Sequence, residues 1–270
     1  MTALVILFVI SLLYLLSIRP YTKRRAEFAP FEKQFIAHRG LYRENVPENS
    51  LAAFALAIDF GFGIELDVQI TADNKIVVFH DKTLERMCGD KRIMNRCSYS
   101  ELVKLRLSGT DSKIPLLSDV LELVNGKVPL IIEVKPRGNI RRLMPELDAV
   151  LKKYKGLYCI QSFHFSVLRW YKKHNPVILR GQLSTIYYRD KIKAPFPVSF
   201  IMTNLMTNFI SKPDFISYNF RYANQPSYWL CRKLYNPKNA GWTVRSQQEL
   251  DEIPSEFTVV IFDGFIPKNK

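Results

Sequence analysis

From Phe35 onward the chain alternates short apolar runs, many of them β-branched, with longer stretches in which apolar residues recur at helical spacing. The runs at 35–37, 64–69, 76–79, 130–134, 158–162, 178–183, 215–218, 241–244 and 258–262 read as strands. Amphipathic periodicity predicts helices over 50–59, 116–124, 140–154, 165–174 and 247–253, the first behind Pro47 and Asn49 in a cap-like setting. Such alternation implies repeated βα units and a parallel sheet, so the expected fold class is α/β, a TIM-type (β/α)8 barrel. Nine candidate strands exceed the eight of that barrel, which implies one peripheral strand or an irregular closure. Residues 89–113 break the alternation and read as an insertion after the third strand.

Two apolar stretches stand outside this pattern. Residues 3–18, ALVILFVISLLYLLSI, carry no charge and fall slightly short of the roughly 20 residues of a bilayer span. They lack the charged start and the small-x-small cleavage site of a secretory signal. The expectation is one N-terminal transmembrane helix within residues 1–19, a linker over 20–32 and a catalytic domain over 33–270; the competing reading is a buried core helix. Arg19, Lys23, Arg24 and Arg25 follow the apolar run and no charged side chain precedes it, so the positive-inside rule places the domain in the cytoplasm. The second stretch, 196–210, reads as an ordinary barrel helix, with contact to a lipid-derived substrate as the alternative.

Composition narrows the function classes. With 270 residues, 47% of them hydrophobic and 13% aromatic, the chain supports one large globular domain with a short appendage and is not disordered. The net charge of +14 suits an anionic partner, either nucleic acid or the cytoplasmic face of a membrane. The basic clusters at Lys23, Arg24 and Arg25, at Arg141 and Arg142, and at Lys152, Lys153 and Lys155 are not interleaved with aromatics, so nucleic acid is not expected. The four cysteines form no CxxC pair; Cys88 and Cys97 are near enough in sequence to bridge in an oxidising compartment.

The chemistry-bearing residues recur where predicted strands end. His38 and Arg39 follow the first strand, Glu65 and Asp67 lie in the second, His80 and Asp81 follow the third, and Glu133 and Lys135 close the fourth. Strand C-termini converge on one face of a parallel barrel. Glu65 and Asp67, two apart, share a strand face, as do Glu133 and Lys135. Alone, a strand-end histidine or a Glu-x-Asp pair is ordinary structure. Three converging carboxylates are costly without a cation between them, and oxygen ligands favour Mg2+ or Ca2+ over zinc. Two histidines flanking a phosphate suit acid-base catalysis, and Arg39 and Lys135 suit neutralisation of phosphate oxygens.

The run IAHRGLYRENVPENSLAAFALAIDFGFGIELDVQITADNKIVVFHDKTLER resembles the glycerophosphodiester phosphodiesterase family, with the motif order HRG, PENS, ELD, FHD, EVK and QSF. The likeness runs from Phe35 to about Pro267, weakens after Leu183 and returns at Gly241-Trp242-Thr243-Val244 and Phe262-Asp263-Gly264. It implies a metal-dependent barrel enzyme that hydrolyses a glycerophosphodiester to glycerol 3-phosphate and an alcohol, or cleaves the head group from a lysophospholipid. By the resemblance, His38 and His80 match catalytic histidines, Glu65, Asp67 and Glu133 match metal ligands, and Arg39 and Lys135 match phosphate contacts. Glu48 and Asn49 of the PENS motif match supporting residues, and Trp242 a substrate-contacting aromatic. Ser50, Arg245 and the FDGF tail depart from the usual family pattern and bear on substrate recognition. The competing readings are a lysophospholipase D-like or phospholipase-like activity on a membrane lipid, and a membrane-anchored phosphate-binding protein without turnover.

Overall fold

The computed structural model describes residues 1–32, 34–137 and 139–268; residues 33, 138, 269 and 270 of the expected catalytic domain lie outside the described residues. The β-branched runs form β1 (Phe35–His38), β2 (Gly63–Ile70), β3 (Ile76–Val78), β4 (Leu130–Val134), β5 (Tyr158–Ser162), β6 (Arg180–Ser184), β7 (Phe215–Asn219), β8 (Lys238–Val244) and β9 (Val259–Phe262). Their sheet order is β1-β9-β8-β7-β6-β5-β4-β2-β3, and β1 also pairs with β2. Eight strands thus close into a parallel barrel with helices between them, the TIM-type architecture. The ninth is β3, which stands at the end of the sheet order beside β2 and runs antiparallel to it, with Val68 opposite Val78 and Ile70 opposite Ile76. The surplus strand is therefore the peripheral one.

The chain folds as two compact units. One comprises residues 33–160, 243–252 and 260–270. All eight residues of β2 are buried, so the strand has apolar or polar protein on both faces. Space is tight at Gly63, where β1 and β2 pair: a Cβ there would lie 2.4 Å from the tip of the Ile36 side chain, which would have to shift, and 3.2 Å from the Pro129 carbonyl. The helix Leu51–Asp59 is capped by Ser50, whose Oγ accepts from the Ala53 amide at 3.1 Å; such a cap contributes about 1 kcal/mol. The insertion is not a loose loop. Met87, Met94, Leu102, Leu107 and Ile114 bury their side chains together with Val77 of β3 and Phe79, giving this excursion its own small core. Cys97 belongs to that core and Cys88 packs against it, both as free thiols.

The other unit comprises residues 1–32, 161–242 and 253–259. Its N-terminal helix, Thr2–Ser17, is apolar on every face, and none of its residues is buried. The expected transmembrane span is corrected here: at about 1.5 Å per residue the 16 residues reach about 24 Å, against roughly 30 Å of hydrocarbon. Among the described residues no helix is long and apolar enough to cross a membrane. The end of the helix is also docked into the protein. Ile18 is fully buried, its carbonyl accepts from Asn208 Nδ2 at 2.9 Å, Tyr14 donates to Ser227 Oγ at 2.5 Å, and Tyr235 donates to the Leu15 carbonyl at 2.8 Å.

Two of the cations behind the charge asymmetry are spent inside this unit. Arg24 pairs with Glu27 at 2.5 Å and Asp214 at 3.7 Å, and Arg25 donates to the Tyr235 carbonyl. Residues 25–31 form a 3-10 helix whose Phe28 and Phe31 are buried, with Phe28 centred 4.7 Å from Phe215. The apolar stretch at 196–210 breaks into the helices Phe196–Thr203 and Asn208–Ser211. The first lies between β6 and β7, the position of a barrel helix, and buries only Met202 and Thr203.

Candidate active site

β1 ends on His38, and the chain then turns through Arg39 and Gly40, both at positive φ, 60° and 82°. The tightness of this turn requires glycine at 40: a Cβ would lie 2.9 Å from Ala53 and from the Phe54 ring. The turn brings the Arg39 amide to 3.2 Å from Glu65 Oε2. It also sets the Arg39 guanidinium 2.8 Å from Glu48 Oε1 and 3.4 Å from Asp67 Oδ2. Burial opposes the charge on Arg39, but Asp67, Glu48 and Glu65 outweigh it and raise its pKa.

Pairing register brings the acids together. His38 lies opposite Glu65 where β1 meets β2, and Asp67 lies opposite Glu133 where β2 meets β4. All three carboxylates are buried, and one ligand oxygen from each falls within 4.8 Å of the others. Lys135 Nζ sits 2.6 Å from Glu133 Oε1 and 3.2 Å from Asp67 Oδ1. Asn49, at positive φ in the PENS turn, donates to Asp67 Oδ2 at 2.9 Å.

The electrostatics split the trio. Burial disfavours ionised Asp67, yet Lys135, His80, Arg39 and the Asn49 hydrogen bond prevail and hold its pKa far below the usual carboxylate range. Burial, followed by the charges of Asp67 and Glu133, pushes Glu65 well above that range. Lys135 has its charge opposed by burial and restored by Asp67 and Glu133, so its pKa is raised. A divalent cation among the three oxygens would remove the repulsion felt by Glu65. An all-carboxylate donor set fits a hard ion such as Mg2+ or Ca2+.

His80 reaches this level of the barrel by a route the strand pattern did not indicate. Because β3 runs back along β2, the chain returns from Ile70 until the Phe79 amide donates to the Asp67 carbonyl at 2.9 Å. Gln69 Nε2 pins the return by donating to the carbonyls of Phe79 at 2.7 Å and Asp81 at 2.9 Å. His80 therefore does not follow the C-terminus of a parallel strand; it comes off a hairpin.

Each histidine faces a carboxylate outside the candidate set. His80 Nδ1 lies 2.6 Å from Asp81 Oδ1, and Asp81 Oδ2 accepts from Arg86 Nε at 2.6 Å. Burial raises the Asp81 pKa, but the hydrogen bonds from His80 and Arg86 win and lower it. His38 Nδ1 lies 3.6 Å from Asp263 Oδ2, and burial lowers the His38 pKa despite that neighbour. Arg86 also reaches Glu48, so Arg39, Glu48, Arg86, Asp81 and His80 form one chain of contacts. Asp81 and Asp263 had a signal in the FHD and FDG motifs. Arg86 closes the run that resembles the family, but nothing in its position there marks it out among the 39 basic residues.

Trp242, the remaining candidate, ends a β8 pairing opposite Asn219 in the other unit. It stands edge-on to Phe163 at 5.8 Å, and Phe163 in turn meets Tyr187 at 6.0 Å. Its indole nitrogen is buried without a hydrogen-bond partner among the described residues.

Comparison with known proteins places this constellation in context. The sequence profile of the glycerophosphoryl diester phosphodiesterase family matches residues 38–256. A glycerophosphodiester phosphodiesterase of Caldanaerobacter subterraneus is 37% identical over 164 residues, 55% of this chain and 65% of that protein. A lysophospholipase D of Rattus norvegicus is 36% identical over 138 residues, 46% of this chain and 43% of that protein. The chain thus spans less than two thirds of the length of these curated relatives. Among solved structures, a Thermotoga maritima glycerophosphodiester phosphodiesterase aligns with TM-score 0.65 at 26% identity, covering 85% of this chain and 94% of that one. An Oleispira antarctica phosphodiesterase, solved with sn-glycerol-3-phosphate, shares the fold with TM-score 0.69 at 23% identity, covering 86% of this chain and 93% of that one.

Proposed function

The chain belongs to the glycerophosphoryl diester phosphodiesterase family, and we propose that it hydrolyses glycerophosphodiesters to glycerol 3-phosphate and an alcohol, with residues 33–270 as the catalytic domain. The observation that carries this reading is the buried trio Glu65, Asp67 and Glu133, with ligand oxygens within 4.8 Å of one another and Arg39 and Lys135 against them.

Glu65, Asp67 and Glu133 would hold Mg2+ or Ca2+, which when bound supplies positive charge to the phosphate. Arg39 and Lys135 steady the phosphate oxygens as charge builds on them. His38 and His80 exchange protons with the attacking and leaving oxygens, each oriented by its carboxylate neighbour, Asp263 or Asp81. Glu48 and Asn49 hold Arg39 and Asp67 in place. The family resemblance alone assigns substrate contact to Trp242.

Cleavage of a lysophospholipid is the second reading, favoured by the exposed Phe196 and Phe200. We further propose that the enzyme works at a membrane with its catalytic residues on the cytoplasmic side, supported by the exposed apolar residues Leu4, Leu7, Phe8 and Leu13 and by exposed Arg19 and Lys23.

The test is to incubate the full chain with glycerophosphocholine, then with a lysophospholipid, in Mg2+, in Ca2+ and in excess EDTA, and to identify the phosphorylated product. Glycerol 3-phosphate formed only with a divalent ion is expected. No product under any condition, or full activity in EDTA, would sink the proposal.

A further inference from the structure

β8 and β9 end side by side at the face where strand C-termini carry the candidate site, the Asp263 amide donating to the Val244 carbonyl at 2.8 Å. That bond sets Asp263 beside Arg245, the residue that follows β8. The backbone at Arg245 is held as well. Its amide donates to Glu249 Oε2 at 2.7 Å, and the Glu249 amide donates to Ser246 Oγ at 3.1 Å, which ties the turn to the start of the helix Gln247–Glu252.

One oxygen of Asp263, Oδ2, faces two groups that can carry positive charge, His38 Nδ1 at 3.6 Å and Arg245 Nε at 3.8 Å. Neither contact is short enough for a hydrogen bond. Asp263 and His38 are 10% and 17% exposed, whereas Arg245 is 57% exposed, so the row runs outward from the site to the arginine. Asp263 is the one ion-pair partner of Arg245 among the described residues, and its guanidinium makes no hydrogen bond among them. An exposed arginine ordinarily only faces solvent. This one stands a single carboxylate away from a histidine proposed to move protons, with its forked N–H donors unengaged.

We infer that Arg245 selects glycerophosphodiesters whose alcohol carries a second anionic group, a carboxylate or a phosphate, which the guanidinium meets. His38 exchanges a proton with an ester oxygen, and the alcohol on that oxygen extends from His38 toward solvent, where Arg245 lies. A planar guanidinium takes a carboxylate or phosphate through paired hydrogen bonds. A cationic ammonium offers it no acceptor. The inference rests on the phosphodiesterase reading, and it adds which alcohols that site prefers.

Glycerophosphoserine and glycerophosphoethanolamine differ by one carboxylate on the alcohol, and both release glycerol 3-phosphate. With wild type, kcat/KM should be about fivefold higher for glycerophosphoserine, the upper end for an ion pair left partly in water. Arg245→Asn should bring the two values to within about twofold of each other, through a higher KM for glycerophosphoserine. Lys127→Asn removes the same charge from an exposed residue before β4, at the opposite end of the strands, and should keep the wild-type ratio. Equal kcat/KM for the two diesters in wild type, or an unchanged ratio in Arg245→Asn, would overturn the inference. An equal fall in kcat on both diesters in that variant would do the same, leaving Arg245 as a support for Asp263 and His38. So would equal loss of the ratio in Lys127→Asn, which would assign the preference to overall charge. No turnover of either diester by wild type would instead bring down the hydrolase reading itself, and this inference with it.

Discussion

The guanidinium of Arg86 grips Glu48 with both terminal nitrogens, Nη1 to Oε2 at 2.9 Å and Nη2 to Oε1 at 2.7 Å. Its Nε meanwhile holds Asp81, the partner of His80. Arg86 thus orients two of the groups proposed to act on the phosphate without itself belonging to the carboxylate trio. Arg86→Ala should lower kcat roughly 10- to 100-fold with little change in thermal midpoint, since the side chain is 48% exposed. Arg86→Lys should recover only part of the loss, because an ammonium cannot make the forked contact. Steady-state kinetics of the two variants check this, and wild-type kcat in Arg86→Ala would remove the positioning role.

Replacing His38 or His80 with Ala should cost about 100- to 10,000-fold in turnover of glycerophosphocholine while far-UV circular dichroism stays unchanged. Both side chains lie near the surface of the site rather than in the apolar core, with 17% and 28% exposure. Near wild-type rates in either variant would end the two-histidine assignment.

Glu65 predicts an unusual stability profile for the metal-free protein. With its pKa raised in the fold, Glu65 binds its proton more tightly there than in the unfolded chain. Its contribution is therefore fully present below the unfolded carboxylate value of about 4.3 and is lost as pH rises through the folded value. Glu65→Gln should abolish that loss. In EDTA at pH 7 the variant should melt at or above the wild-type temperature, and Mg2+ or Ca2+ should raise the midpoint of wild type more than that of the variant. A metal-free variant melting well below wild type would contradict the repulsion within the trio.

Gly40→Ala should destabilise the fold by about 1–3 kcal/mol, combining a positive φ of 82° with a contact of 2.9 Å to Ala53 and Phe54. The turn also aims Arg39, so activity should fall further than the loss of folded protein explains. Urea unfolding alongside kinetics separates the two effects, and an unchanged midpoint would show that the turn relaxes freely.

The amino-acid sequence by itself determined the local features of this protein. The β-branched runs placed every strand to within a few residues, because side chains alternate across a strand with period two and an unbroken apolar run suits a strand covered on both faces. The same periodicity put Glu65 and Asp67 on one face. The family motifs single out His38, His80, Glu65, Asp67 and Glu133 as candidates without reference to strand pairing.

Tertiary structure decided what no local pattern carries. Whether β3 joins the barrel or doubles back on β2 depends on its pairing partner, since parallel and antiparallel strands share one periodicity. Asp263 meets His38 only because β9 pairs with β1, and Arg86 meets Glu48 and Asp81 only through folding of the segment after β3. The N-terminal run read as a span from hydropathy alone. Burial of Ile18 and the bonds from Tyr14, Asn208 and Tyr235 set where that helix ends, because docking against other elements, not apolarity, fixes the length left free.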